Sequence, residues 1–181
     1  MTVRTLDTPV LETDRLILRG WGEDDVATIR AIITDEEAAR FIGGTAPDWQ
    51  AFRTLCGCIG HWHIRGFAFF AVEEKTSGEC IGWAGPWRPD GWPDNEIGYS
   101  LKKTHWGKGY ATEAARASLR YAYETLGWTT AISSIDPDNI GSQGVARHLG
   151  ATLEARDVVI NDFTTDIWRH LPPEQFLEQA A

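Results

Sequence analysis

The chain has 181 residues, enough for one well-filled domain, so we expect a single domain over residues 1–181 with its core at about 11–171 and short tails. Hydrophobic residues make up 43% and charged residues 24%, the balance of a globular rather than a disordered protein. The formal net charge of −9 repels phosphate backbones, which argues against a nucleic-acid partner and suits a cationic small substrate such as an amine.

Membrane, secretory and disulfide signals are weak. No apolar run approaches the roughly 20 residues that cross a bilayer, and the first residues lack the basic and then apolar pattern of a secretory signal. The three cysteines, Cys56, Cys58 and Cys80, cannot all pair, which is typical of reduced thiols. We therefore expect a cytoplasmic protein without a membrane partner.

The first half of the chain predicts one strand, two helices and three further strands. Residues 16–21 are strand-like, and the acids at 23–25 favour the start of a helix that runs to about residue 42. A second helical stretch covers about 49–64. Turn residues separate the β-rich runs that follow, which is typical of a meander: residues 67–73, 80–87 and 96–101.

The second half contains the clearest helix. Apolar residues recur on one side of it before Gly127 ends the pattern: Ala111, Ala115, Leu119, Ala122 and Leu126. A strand at 130–135, a short helix at about 140–149, and two β-runs at 151–160 and 163–171 complete the chain, while 174–181 carry no signal. A meander, a helical crossover and a terminal hairpin indicate the α/β (mixed α+β) class, a mixed sheet flanked by helices.

The segment 96–111 contains a strand, a loop with Gly107 and Gly109, and the start of the long helix. Glycines let the backbone turn sharply, and the first turn of a helix offers unpaired N–H groups to phosphate oxygens. Gly-x-Gly also occurs for structural reasons alone. The sequence lacks a P-loop run, and a dinucleotide fingerprint would need a third glycine soon after Gly109, which is absent here.

Residues 106–114 (Trp-Gly-Lys-Gly-Tyr-Ala-Thr-Glu-Ala) resemble the coenzyme A loop of the GNAT acetyltransferase superfamily, whose pattern is Arg/Gln-x-x-Gly-x-Gly/Ala. They are most similar to the RimJ/RimL branch, where Trp replaces the leading Arg/Gln. Residues 14–19 are similar to that branch's first strand, and 136–143 to its Asn-x-x-Ser turn. The resemblance covers about 11–171 and implies a GNAT-like, twisted, largely antiparallel sheet of about six to seven strands with about four helices.

The resemblance also implies acetyl-coenzyme A as co-substrate, with no metal. Backbone amides along 107–112 would hold its pyrophosphate, and the strand end at 99–101 would pair with the pantetheine arm and polarise the thioester carbonyl. The residues expected to contact the coenzyme are Tyr99, Ser100, Leu101, Trp106, Gly107, Lys108, Gly109, Tyr110, Ala111, Thr112, Asn139 and Ser142.

Direct attack by an amine, through a tetrahedral intermediate, needs a proton acceptor and a proton donor for the departing thiolate. By the same resemblance Glu96 is the candidate base and Ser142 the candidate acid, with Asn139 at the coenzyme. The alternatives are a solvent-facing strand residue for Glu96 and helix caps for Asn139 and Ser142. The sequence departs from the superfamily where Ala146 replaces a Tyr acid and where Ala151 follows Gly150 instead of Phe.

The expected partner is a primary amine, either a protein N-terminal amine or a small molecule such as a polyamine, an amino acid or an aminoglycoside-like antibiotic. A non-catalytic acyl-coenzyme A-binding or sensing module is the alternative from another class, and a homodimer is a candidate state. His61 and His63, two residues apart, do not share a helix face and predict no metal site. Trp83, Trp87 and Trp92 either line an acceptor pocket or fill the core.

Overall fold

The computed structural model describes residues 8–179, and its centre is one twisted sheet of eight strands in the order β1-β2-β3-β4-β5-β6-β8-β7. All neighbouring strands are antiparallel except β5 and β6, which run parallel. The strands are β1 Leu11–Glu12, β2 Leu16–Arg19, β3 Phe70–Glu74, β4 Glu79–Trp87, β5 Glu96–Leu101, β6 Ile132–Ile135, β7 Thr152–Ile160 and β8 Phe163–Arg169.

Six α-helices flank the sheet in the described range. They are α1 Val26–Ile33, α2 Glu36–Ala39, α3 Gln50–Arg65, α4 Tyr110–Glu124, α5 Ile140–His148 and α6 Pro173–Gln179. None of the helices at 8–179 is long and apolar enough to cross a membrane. The predicted mixed, largely antiparallel class is confirmed, although the described residues contain more strands and helices than expected.

The helix predicted over 23–42 is wrong as one continuous element. A single 3-10 turn at Glu23–Asp25 leads into α1, which ends at Ile33. Asp35 then accepts hydrogen bonds from the amides of Glu37 and Ala38, so it caps a new helix and interrupts the old one. The elements missed by the sequence are the two-residue β1 and α6, which lies in the tail that carried no signal.

The core forms where α4 crosses the sheet. The stripe predicted for this helix is confirmed, because Ala115, Leu119 and Ala122 are fully buried. One side of α4 packs against β2, β3 and β4, and the other packs toward Phe176 of α6. Helices α1 and α3 cover the opposite face of the sheet, around Trp83.

Strands β5 and β6 meet at one point and then diverge. Their register contains one pair, Glu96 with Ile132, and β6 otherwise pairs with β8. Beyond that pair the amide of Ser134 donates to the Glu96 carboxylate at 3.0 Å, and the Ser133 hydroxyl donates to the Ile97 carbonyl at 2.7 Å. A wedge therefore opens between the two strands, with one edge of β5 free of a neighbouring strand from residue 97 onward.

Candidate functional site

The loop before α4 lies on the surface and presents backbone amides. Residues 106–109 are exposed, and Gly107 and Gly109 adopt φ values of +71° and +80°, which favour glycine. The first internal hydrogen bond of α4 joins the Glu113 amide to the Gly109 carbonyl at 3.1 Å. The amides of residues 110–112 precede that bond, so they and the positive end of the helix dipole form an anion-binding geometry.

An ion pair between Arg15, the residue before β2, and Glu113 of α4 holds this loop in place. Arg15 contacts the Glu113 carboxylate at 2.6 Å, and its Nη1 donates to the Lys108 carbonyl at 2.9 Å. The Arg15 guanidinium also lies 4.5 Å from the centre of the Tyr110 ring. Tyr110 is buried, and its hydroxyl donates to Glu74. The Tyr110 side chain, one of the predicted coenzyme contacts, is therefore engaged inside the protein.

Trp106 connects the loop to the end of β5. Its indole Nε1 donates to the Leu101 carbonyl at 2.8 Å, while its ring remains 42% exposed. Leu101 itself is buried in the core, and Ser100 of β5 lies opposite Trp83 of the neighbouring strand β4. The remaining edge of β5 at residues 99–101 borders the wedge, so Trp106 holds the glycine loop beside a strand edge that has no neighbouring strand in the described range.

Glu96 lies at the point where the strands diverge, with 7% of its surface exposed. One carboxylate oxygen accepts from the Ser134 amide at 3.0 Å, and the other accepts from the Trp92 indole. Burial raises the pKa of Glu96 to about 7, although both hydrogen bonds act in the opposite direction. The alternative of a solvent-facing strand residue is wrong.

Asn139 and Ser142 form the first turn of α5. The Asn139 side chain accepts from the Ser142 amide at 3.0 Å, so the cap interpretation is confirmed for Asn139. The Ser142 carbonyl accepts from the Tyr99 hydroxyl at 3.2 Å. Because Tyr99 lies on β5, this contact connects the two sides of the wedge. Burial raises the pKa of the Tyr99 phenol, so this hydroxyl is protonated at neutral pH.

A cavity of about 600 Å³ brings together Glu96, Tyr99, Asn139 and Ser142. Its lining does not include Ser100, Leu101 or the loop residues at 106–112. The predicted site residues thus fall into two groups, one around the cavity and one at the exposed glycine loop. The end of β5 connects them.

Aromatic side chains supply most of the remaining cavity wall. Trp83, Trp87 and Trp92 all line it, and Trp83 also packs in the core with α1 and α3, so both interpretations of the tryptophans apply there. Phe69 and Phe163 were not predicted from the sequence; they reach the cavity from the residue before β3 and from the β7–β8 hairpin. Their local sequence contains no signal, because only tertiary packing brings them there.

His61 and the three cysteines lie outside any metal-binding arrangement in the described residues. His61 Nδ1 lies 2.5 Å from the Phe67 carbonyl, and its ring stacks on Trp87. Within residues 8–179 no group of three or more His, Cys, Asp or Glu side chains is arranged to hold a metal ion. The three cysteines are free thiols, Cys56 exposed and the other two buried.

Comparisons with known proteins agree with this geometry. The acetyltransferase (GNAT) domain model matches residues 15–152. The uncharacterized N-acetyltransferase p20 of Bacillus licheniformis is 30% identical over 137 residues, 73% of this chain and 76% of that protein. An acetyltransferase structure from Agrobacterium tumefaciens str. C58 superposes with a TM-score of 0.83 at 29% identity, covering 94% of this chain and 99% of that one.

RimL, a ribosomal L7/L12 alpha-N-protein acetyltransferase solved in complex with coenzyme A, shares the fold. Its TM-score is 0.72 at 17% identity, over 90% of this chain and 96% of RimL. An exposed glycine loop at a helix N-terminus and an open strand edge are suited to a ligand that carries phosphate and amide groups. The chain therefore belongs to the GNAT acetyltransferase family, as an acetyl-coenzyme A-dependent N-acetyltransferase that resembles the RimJ/RimL branch.

Proposed function

We propose that this protein transfers the acetyl group of acetyl-coenzyme A to a primary amine whose nitrogen lies beside Glu96. The observation that carries the proposal is the buried Glu96 carboxylate, which lines the same cavity as Ser142 at the point where β5 and β6 diverge. A non-catalytic acyl-coenzyme A-binding module has no need of a buried acid with a pKa near neutrality.

The exposed loop is the proposed coenzyme site. The amides from Gly107 to Thr112 hold the pyrophosphate, and Lys108, which is exposed, adds positive charge. The free edge of β5 at residues 99–101 pairs with the amides of the pantetheine arm, as an added strand would. A main-chain N–H near Leu101 is then positioned to stabilise negative charge on the thioester oxygen.

The proposed reaction moves one proton from the amine to Glu96 and one from Ser142 to the thiolate. The amine arrives as an ammonium ion, and Glu96 takes one proton directly or through water, which frees the nitrogen lone pair. The nitrogen–carbon bond forms, the carbon–sulfur bond breaks, and the nitrogen loses a second proton. The Ser142 hydroxyl gives a proton to the thiolate and recovers one, so one proton is released in each turnover.

The resemblance to the RimJ/RimL branch favours a protein N-terminal amine as acceptor. Proton affinities support this choice. An α-amine has a pKa of roughly 7.7 to 8.0, close to the value of about 7 for Glu96, whereas an alkyl amine has a pKa near 10.4. Transfer of a proton from an α-ammonium group to Glu96 is therefore nearly balanced, while transfer from an alkyl ammonium is uphill.

The test measures thiol release from acetyl-coenzyme A over a panel of amines, with the product identified by mass spectrometry. We expect Glu96→Gln and Ser142→Ala each to lower kcat by about 10²- to 10⁴-fold while calorimetry shows unchanged coenzyme affinity. Glu124→Gln, at the exposed end of α4, is the matched control and should leave kcat unchanged.

Two outcomes would contradict this function. Full activity in both variants would remove Glu96 and Ser142 from the chemistry, and coenzyme binding without acetylation of any amine would indicate a binding module. Gly109→Trp separately tests the loop, because a side chain at φ +80° in the exposed turn should abolish coenzyme binding. Normal binding by this variant would overturn the loop assignment.

A further inference from the structure

The walls of the cavity beside Glu96 are aromatic. Seven aromatic rings line it, that of Tyr99 on β5 and six others: Phe41, Phe69, Trp83, Trp87, Trp92 and Phe163. Flat apolar walls around a volume of about 600 Å³ favour a ligand with a flat apolar body.

Phe69 and Trp87 form the most rigid part of this wall. Their rings stack with centroids 4.5 Å apart at 10°, and His61 stacks on Trp87 at 4.4 Å and 20°. The indoles of Trp21 and Trp62 both donate to the Phe69 carbonyl, at 2.8 and 3.1 Å, which fixes the backbone beneath the ring. The wall is therefore preformed and loses little entropy when a ring packs on it.

The aromatic wall and the Glu96 carboxylate meet above Gly98. A Cβ atom built on Gly98 would lie 3.0 Å from Phe69 Cε1 and 3.9 Å from Glu96 Cδ. The absence of a side chain at this position lets the edge of the Phe69 ring lie against the β5 backbone, close to the Glu96 carboxyl group. An acceptor that used both would need its amine and its ring separated by a short linker.

The charges of the cavity favour an acceptor with few positive charges. Its charged lining residues are Arg40, Glu96 and Asp136, so two carboxylates and one guanidinium face it. A polyamine or an aminoglycoside would bring several positive charges to these two carboxylates and meet Arg40 as well. One positive charge beside Glu96 is the complement that this lining can neutralise.

We propose that the acceptor carries a 2-arylethylamine unit, in which one primary amine is two carbons from an aromatic ring that packs against the edges of the stacked Phe69 and Trp87 rings. This inference rests on the proposed function and names its substrate class. The unit occurs both in free arylalkylamines and in a peptide whose first residue is Phe, Tyr or Trp, so the chemistry is shared by two sources.

The experiment compares kcat/KM for 2-phenylethylamine, n-butylamine and spermidine, and for two peptides that begin with Phe or Ala and are otherwise identical. We expect the ring to raise kcat/KM at least about tenfold, for the free amine over n-butylamine and for the Phe peptide over the Ala peptide. The larger value of the two ring-bearing substrates identifies the source.

Variants connect the preference to the wall. Trp87→Leu should reduce the ring preference, the ratio of kcat/KM for 2-phenylethylamine to that for n-butylamine, at least about fivefold. Phe163→Ala, at a position 43% exposed on the hairpin, removes a second ring of the cavity lining and should also weaken the preference. Trp49→Leu, at an exposed tryptophan outside the cavity lining, is the matched control and should preserve it.

The failures are distinguishable. Equal kcat/KM for 2-phenylethylamine and n-butylamine, or a preference for spermidine, would overturn this inference and leave the proposed function intact. A ring preference that survives both wall variants would also overturn it. If no amine in the panel is acetylated, the proposed function fails together with the inference.

Discussion

At the scale of single residues, the carboxylate of Glu96 has opposing influences. Its burial among apolar side chains disfavours charge, whereas the Ser134 amide and the Trp92 indole donate to its two oxygens and favour charge. Burial is the larger effect, so the pKa rises to about 7, and the two hydrogen bonds limit the rise. A group with this pKa changes its charge within the physiological range.

This value predicts the pH dependence of catalysis. The proposed base acts when ionised, so kcat/KM should increase as pH rises through about 7, with a slope near one on a logarithmic plot below that pH. Steady-state rates between pH 5.5 and 9 measure this rise, the acidic limb of the profile. Deprotonation of the amine affects kcat/KM at higher pH. If Glu96→Gln retains the same limb near pH 7, another group is responsible for it.

Trp92 is expected to position Glu96 and set its pKa. Trp92→Phe removes the indole donor, which destabilises the ionised carboxylate and should move the acidic limb of the rate profile upward by roughly one pH unit. Trp168→Phe is the matched control, because the Trp168 indole nitrogen is buried without a hydrogen-bond partner in the described range. A limb that does not move in Trp92→Phe would show that the indole does not tune this acid.

The sequence predicted the residues around the cavity better than their interactions. Resemblance located Glu96, Asn139 and Ser142 because they occur at fixed spacing in recognisable segments. The hydrogen bond from Trp92 was not predictable, since its loop is rich in Pro and Gly and its conformation depends on packing near Phe163. Nor did the sequence indicate that the Tyr99 hydroxyl meets the Ser142 carbonyl, 43 residues away.

At the scale of elements, β5 depends on its one long partner, β4. Gly82 of β4 lies opposite Leu101, and a Cβ atom there would be 2.2 Å from the Ser100 carbonyl oxygen and 2.7 Å from Leu101 Cα. The two strands therefore approach more closely than any side chain at this position permits. This close approach determines where the free edge at residues 99–101 lies.

Gly82→Ala should force β4 and β5 apart, because two of the three clashing atoms belong to the backbone. We expect a loss of stability of about 2 kcal/mol or more and weaker coenzyme binding, from overpacking and from displacement of residues 99–101. Thermal unfolding and calorimetry measure the two effects.

Gly57→Ala in α3 is the contrasting variant. This exposed helical glycine has no atom within 4 Å of the position of an added Cβ, so alanine should raise stability by about 0.5 to 1 kcal/mol. A Gly82→Ala protein as stable as the original would show that the strands can separate without cost.

Most element positions were readable from periodicity and turn residues, including the stripe of α4. The exceptions have local causes. Asp35 at the break between α1 and α2 has the same residue type as the acids that favour a helix start, and only its hydrogen bonds to Glu37 and Ala38 reveal a cap. Helix α6 is short, and Phe176, its one buried residue, gives no periodicity to detect.

At the scale of the whole molecule, two buried groups make opposite contributions to stability in mild acid. His170 is 3% exposed, and its Nε2 donates to Ser133, whose hydroxyl donates to Ile97. Burial lowers the pKa of His170 to about 4, so its contribution to stability is lost as pH falls from about 6.5 toward 4. The raised pKa of Glu96 has the opposite effect, because the folded protein gains stability as pH falls from 7 toward 4.5.

Between pH 4.5 and 6.5 these contributions should nearly cancel, at about 1.4 kcal/mol per pH unit each. In Glu96→Gln only the contribution of His170 remains, so urea unfolding should show a free energy of unfolding that decreases as pH decreases. In His170→Gln it should increase as pH decreases. Ion-paired carboxylates such as Asp25, whose pKa is lowered, contribute mainly below this window. Parallel pH profiles for the two variants would contradict the assignment.

The single parallel pair between β5 and β6 has a consequence for the lifetime of the protein. Strands β1–β5 and β6–β8 share little direct hydrogen bonding, so a coenzyme bound in the wedge would join them as an extra strand does. A ligand present at 100 times its Kd stabilises a folded protein by about 2.7 kcal/mol. We therefore expect resistance to proteases to increase with the concentration of acetyl-coenzyme A. The enzyme should persist while its acetyl donor is abundant and be degraded faster when the donor is depleted.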